Sequence, residues 1–160
     1  MPSRRFLLLA PIAALVAACA SQPAATPLDV AGTIARDPDL STLSALVVQA
    51  GLSDTLKSAG PFTVFAPTNE AFKAVPAKAL DELAHDPARL KAVLSYHVLP
   101  ARMTAAEIHN GNAKTAQGAS LAVSRAGEFV TVEDAMVQHA DILATNGVVH
   151  TVDRVLMPPR

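Results

Sequence analysis

Ala144-Thr-Asn-Gly-Val-Val-His-Thr-Val-Asp-Arg-Val-Leu-Met-Pro-Pro159 is the stretch on which the fold turns. Asn146-Gly147 can supply positive φ at both central positions of a tight turn, and it is flanked by apolar, β-branched residues, the strongest short-range hairpin signal in the chain. The expected arms are Met136 to Thr145 and Val148 to Leu156, with Pro158 and Pro159 removing the donors that further pairing would need. A last strand this rich in valine must be covered by the segments that precede it.

Working upstream, Phe62-Thr-Val-Phe-Ala66 alternates as a strand, and Pro67-Thr68 turns it into a helix. Thr68 is placed to cap that helix and Glu70 lies in its first turn, where the dipole favours a carboxylate. Thr68, Asn69 and Glu70 therefore read as a strand-to-helix corner rather than a polar binding cluster. Pro76 to His85 and Asp86 to Ser95 carry helix start signals, Asp86 as cap with Pro87 behind it. Thr104 is expected to cap a one-turn helix to His109, and Asn110-Gly111-Asn112 to form a turn. Strands follow over Ala113 to Thr115, Ser120 to Ser124 and Glu128 to Val132, the last two joined at Ala126-Gly127. Nearer the start, Asp29 caps a helix to Arg36, Ser41 or Thr42 caps a second that Gly51 ends, and Ser53 opens a third. With helices first and strands last and no βαβ repeat, the chain is α+β.

Three of these stretches together resemble the fasciclin (FAS1) domain family. Ala144 to Leu156 is similar to its second signature box, Gly60-Pro-Phe-Thr-Val-Phe-Ala-Pro-Thr-Asn-Glu-Ala-Phe72 to its first, and Leu94-Ser-Tyr-His-Val-Leu99 to its central Tyr-His motif, in the family's order. The resemblance implies a wedge of β-strands covered by several short helices over residues 28–159. It also implies structural roles for Thr68, Asn69, Tyr96, His97, Asn146, Gly147, His150 and Asp153. Animal members carry an Asp-Ile adhesion segment just before the last box. The matching positions here are Asp141 and Ile142, where the preceding residues depart from the animal pattern and Ile142 also reads as a packed strand residue.

Residues 1–18 read as an export signal: Arg4 and Arg5, then an apolar run from Phe6 to Ala18 that is short for a membrane span. Val16-Ala-Ala-Cys19 resembles the bacterial lipobox, which makes Cys19 the expected lipid attachment site; an ordinary Ala-x-Ala cleavage site is the alternative. Ser3-Arg-Arg-Phe6 partly resembles a twin-arginine signal, and Sec export is the default expectation. Residues 19–27 would then be a flexible tether of about 20 Å, holding the domain at a bacterial membrane.

Of 160 residues, 51% are apolar and 17% charged, and the formal net charge is −1, which suits one domain with a real core and no nucleic-acid partner. Trp is absent and Cys19 is the sole cysteine, so the mature domain is expected to hold neither a disulfide nor a cysteine metal site. His85, His97, His109, His139 and His150 form no short ligand pair, the serines lack a nucleophile elbow, and no phosphate-cradling glycine loop occurs. The adjacent carboxylates Asp81-Glu82 and Glu133-Asp134 are expected to be solvated. No cofactor and no enzymatic activity are expected.

The function implied by the resemblance is adhesion or interaction at the cell envelope with a protein or matrix partner, or as a secreted protein. The alternatives are a carrier of an apolar small molecule such as a carotenoid, and, disfavoured for want of a nucleophile, a hydrolase of envelope polymers.

Overall fold

The Val-rich closing stretch pairs as a hairpin, and its second arm becomes an inner strand of the sheet. In the computed structural model, which describes residues 27–159, β1 (Phe62–Pro67), β2 (Val98–Leu99), β3 (Gly111–Lys114), β4 (Ser120–Ala126), β5 (Phe129–Val132), β6 (Ala135–Ala144) and β7 (Gly147–Val152) form one sheet in the order β2-β1-β7-β6-β5-β4-β3. β7 pairs in parallel with β1, Phe62 opposite Gly147 through Pro67 opposite Val152, and antiparallel with β6. All six residues of β7 are buried. That explains its near-continuous apolar run: a strand covered on both faces has no polar side to alternate with.

Six helices precede and follow β1: α1 (Val30–Arg36), α2 (Ser41–Gln49), α3 (Ser53–Lys57), α4 (Asn69–Lys73), α5 (Ala77–His85) and α6 (Pro87–Tyr96). They cover one face of the sheet, where Ile34, Leu43, Leu56 and Val93 pack on Val64 and Val149. Phe65 and Val152 point the other way, into a second core with Tyr96, Ile108, Leu121 and Val130 formed where the sheet curls over itself. The period-two alternation of β1 thus feeds two cores with one strand.

Several local expectations need correction. The hairpin loop is Thr145-Asn146, because Ala144 pairs with Gly147, and neither Asn146 nor Gly147 has positive φ. The second arm ends at Val152 instead of Leu156. Neither Ser41 nor Thr42 caps α2 with its own side chain. Gly111 and Asn112 belong to β3 rather than a turn, and Asn110 alone bridges, its carboxamide oxygen accepting from the Arg125 N–H at 2.6 Å. After Thr104 there is one hydrogen-bonded turn, closed by the Ile108 N–H on the Thr104 carbonyl, and no helix. The two-residue β2, beyond the helix expected to end at Ser95, was not read as a strand; its pairing with Val64 and Thr63 makes it one.

Cys19 and the expected export signal, together with all but the end of the expected linker, lie outside the described residues. Among the described residues, no helix is long and apolar enough to cross a membrane.

Candidate functional site

α6 is capped by Asp86, whose carboxylate accepts from the Arg89 N–H, and its C-terminal end delivers Tyr96 and His97. The Tyr96 hydroxyl donates to Glu133 Oε1 at 2.6 Å, with the Ser120 carbonyl also in reach at 3.3 Å. Burial of the ring, reinforced by the Glu133 carboxylate, pushes the phenol well above its ordinary pKa, so it stays protonated. Glu133 is exposed and at the same time anchors this hydroxyl, held at φ 53°.

His97 is buried. Its Nδ1–H donates to the Val93 carbonyl at 2.8 Å and its Nε2 accepts from the Leu156 N–H at 3.0 Å, partners that assign one neutral tautomer. Burial lowers its pKa to about 4, against a smaller opposing effect of the Val93 bond. His150 is likewise neutral. Its Nε2–H donates to the Met103 carbonyl at 2.8 Å, its Nδ1 accepts from the Asp141 N–H at 3.1 Å, and its ring stacks on Phe65 at 5.6 Å. Burial depresses its pKa, opposed by the Met103 bond and the Asp141 charge. Both nitrogens of each imidazole are engaged, those of His97 linking the end of α6 to the segment after β7 and those of His150 linking β7 to β6 and to the loop after β2, which leaves no lone pair for a metal or a substrate proton.

The other signature residues act the same way. Asn146 Oδ1 accepts from the Val30 N–H at 2.8 Å, while its amide donates to the carbonyls of Leu56 at 2.7 Å and Ser58 at 2.8 Å. One side chain therefore binds the start of α1, the end of α3 and the hairpin. Gly147 passes so close to β1 that a Cβ would overlap the Phe62 carbonyl. Thr68 caps α4 through the Ala71 N–H. Asn69 reaches back to α2, accepting from the Thr42 N–H at 3.0 Å and donating to the Pro38 carbonyl at 3.0 Å, the cap that Ser41 and Thr42 do not make. Asp153 accepts from the Met136 N–H at 2.7 Å and closes the far end of the β6–β7 pair. Thr68, Asn69 and Glu70 do line an open cleft of about 580 Å³ with Asp39 and Lys73, but the first two are occupied in capping and Glu70 pairs with Lys73.

Asp141 and Ile142 sit at the irregularity in β6, between the pairs His139–Thr151 and Ile142–Val149. Asp141 adopts φ 59° and its carboxylate accepts from the Ala105 N–H at 2.7 Å. Ile142 is half-buried against the helix-side core, whereas the next residue, Leu143, is 63% exposed. Two joints went unread in the sequence: Glu133, hidden in an ordinary turn pair, and Thr63, whose buried hydroxyl donates to the Ala101 carbonyl and accepts from the Met103 N–H. Thr63 left one signal, a hydroxyl in a strand that is otherwise apolar. Among the described residues, no group of three or more His, Cys, Asp or Glu is arranged to hold a metal ion.

The Fasciclin domain profile matches residues 38–158, the span that contains the two histidine joints and nearly all of the sheet-facing helices. The chain belongs to the fasciclin domain family. Among fasciclin relatives it is 40% identical over 148 residues to Protein sll1483 of Synechocystis sp., covering 91% of this chain and 81% of that one. It is 37% identical over 149 residues to the cell surface glycolipoprotein MPB83 of Mycobacterium bovis, covering 90% of this chain and 64% of that one. Among solved structures, the FAS1 domain pair of the insect cell adhesion molecule fasciclin I superposes with a TM-score of 0.69 at 19% identity, covering 82% of this chain and 51% of the pair. That likeness establishes the wedge-like α+β fold. The chain spans about half the length of the solved pair.

Proposed function

We propose that this fasciclin domain is an exported, lipid-anchored interaction module of the bacterial cell envelope, held through Cys19 and acting by surface recognition without turnover. The observation that carries the reading is where its polar chemistry goes. The side chains of the signature boxes are spent on joints between elements, and among the described residues every buried side-chain nitrogen or oxygen has a hydrogen-bond partner. Recognition then falls to the outside, and the segment we assign to it is Asp141 to Leu143, where an exposed leucine follows a backbone irregularity. The relative named as a cell surface glycolipoprotein and the structural neighbour named as a cell adhesion molecule support this reading.

The test is intact mass and membrane fractionation of the native protein beside a Cys19→Ser variant. The expected result is an acylated mature chain beginning at Cys19, in the membrane fraction, that the substitution releases. An unmodified chain that fractionates as soluble regardless of Cys19 overturns the anchor.

One observation favours a second reading, a carrier of an apolar small molecule such as a carotenoid. A groove of about 390 Å³ runs between α5, α6 and the segment Met157 to Pro159, with Leu83, Ala92 and Val93 in its walls. A carrier would be purified with its ligand, visible as absorption in the purified native protein, whereas an interaction module would be colourless.

A further inference from the structure

His150 stands at the centre of a closed ring of hydrogen bonds. From β7 its Nε2–H reaches the Met103 carbonyl, its Nδ1 takes the Asp141 N–H from β6, and the Asp141 carboxylate takes the Ala105 N–H, two residues on from Met103. The ring joins the irregular part of β6 to the loop after β2, and β6 needs the help. Between His139 and Ile142 its register with β7 is broken, Asp141 is held in left-handed backbone that a non-glycine residue rarely adopts, and β5 pairs only with Ala135 and Met136. Local sheet pairing therefore gives Asp141 little support. The imidazole lone pair is what accepts its N–H.

We propose that His150 is an acid-sensitive latch on the Asp141–Leu143 segment: a proton on Nδ1 turns the acceptor of the Asp141 N–H into a donor, and the β6 irregularity lets go of β7 and of the Met103–Ala105 loop. A protonated imidazole has two N–H donors and no acceptor, so the Asp141 N–H would face another N–H. The Nε2–H bond to Met103 is unaffected by that proton, which makes Asp141 the side that opens.

Burial and the neighbouring charges act on the ring in opposite directions. β1 brings no titratable group against the ring, only Phe65. The loop after β2 carries Arg102 and Glu107 in its sequence, and the Glu107 carboxylate is held by the Thr104 N–H and hydroxyl. β6 brings the exposed His139 and the Asp141 carboxylate, and Asp141 favours the protonated ring while burial opposes it. The latch itself follows from these bonds alone. Its effect on partner binding rests on the reading of Asp141 to Leu143 as the contact segment, and because the test below measures only local opening, either idea can fail without the other.

The test is hydrogen exchange by mass spectrometry on the mature protein from about pH 7 to about pH 4, corrected for the intrinsic pH dependence of amide exchange. Peptides spanning residues 137–145 and 103–106 should exchange about tenfold faster at the acid end, the fold-change expected for one lost hydrogen bond, while α1 and α2 stay protected. His150→Gln, which cannot titrate, should abolish the pH response. Asp141→Asn, which keeps the N–H, an acceptor for Ala105 and tolerance of left-handed φ, should move the opening to lower pH. In the wild type, the His150 ring and the Asp141 amide should titrate together by NMR, a reading that does not depend on any variant folding. Unchanged exchange in 137–145 across the range, an equal response in His150→Gln, or ring and amide titrating apart would overturn the latch.

Discussion

Replacing Asn146 with alanine removes three hydrogen bonds and strands the Val30 N–H and the Leu56 carbonyl in a partly buried joint. Because stranded partners cost more than a missing pair, Asn146→Ala should lower stability by about 2–4 kcal/mol in urea unfolding. Gly147→Ala should cost at least about 2 kcal/mol despite the gain in backbone entropy, since its methyl would press into the Phe62 carbonyl and lie 3.0 Å from Val30 Cγ2. Gly111→Ala is the control: it has an ordinary φ and open space around it, and should change stability by less than about 0.5 kcal/mol. The Asn-Gly pair was readable as a marker of the hairpin, but for a reason that does not hold. Neither residue uses left-handed backbone. What demands them is a crossing with Val30, Leu56, Ser58 and Phe62, positions that a local reading cannot bring together.

At the scale of elements, caps that act within one helix were legible and caps supplied from elsewhere were not. Asp29, Thr68 and Asp86 bond to their own helices as their positions suggest. α2 is capped by Asn69, 27 residues beyond the Thr42 N–H that it accepts. Asn69→Ala should therefore fray the first turn of α2 while leaving α4, which Thr68 caps, intact. We expect a loss of about 1–2 kcal/mol, with faster amide exchange confined to residues 38–44. Equal loosening of α4 would show that Asn69 serves its own helix instead. The histidines follow the same rule. The motifs led to the expectation that they are structural, whereas their partners Leu156, Met103 and Asp141 had to be found in space. Strand limits failed where pairing, not composition, sets them: β2 exists because Val98 and Leu99 lie opposite Val64 and Thr63.

For the molecule as a whole, two buried neutral histidines set the response to acid. The pKa of each is lower in the folded state than in the unfolded chain, so the unfolded state binds more protons in the interval between the two values, and stability falls as pH drops through it. For His97 the interval runs from 6.5 down to about 4, which makes the expected loss on the order of 3 kcal/mol by pH 4. His150 adds in the same direction, as does the exposed Glu107, whose pKa is held low chiefly by the Thr104 N–H. Urea midpoints measured at steps between about pH 7.5 and pH 4 should be flat above the histidine range and decline below it. A midpoint that rises on acidification would contradict the neutral assignments. The α+β class and the cover of helices were legible from patterning. The parallel β1–β7 pair was not, because nothing in either strand records which way its neighbour runs.

That pair has a consequence for how the molecule is made. β7 lies between β1 and β6, buried on both sides, and among the described strands it comes last in chain order. Until it emerges, β1 has only the two residues of β2 beside it, α1 and α3 lack the Asn146 amide, and His97 lacks the Leu156 N–H. A nascent chain of this order cannot lock early. The domain closes only when that one short segment joins β1 to β6.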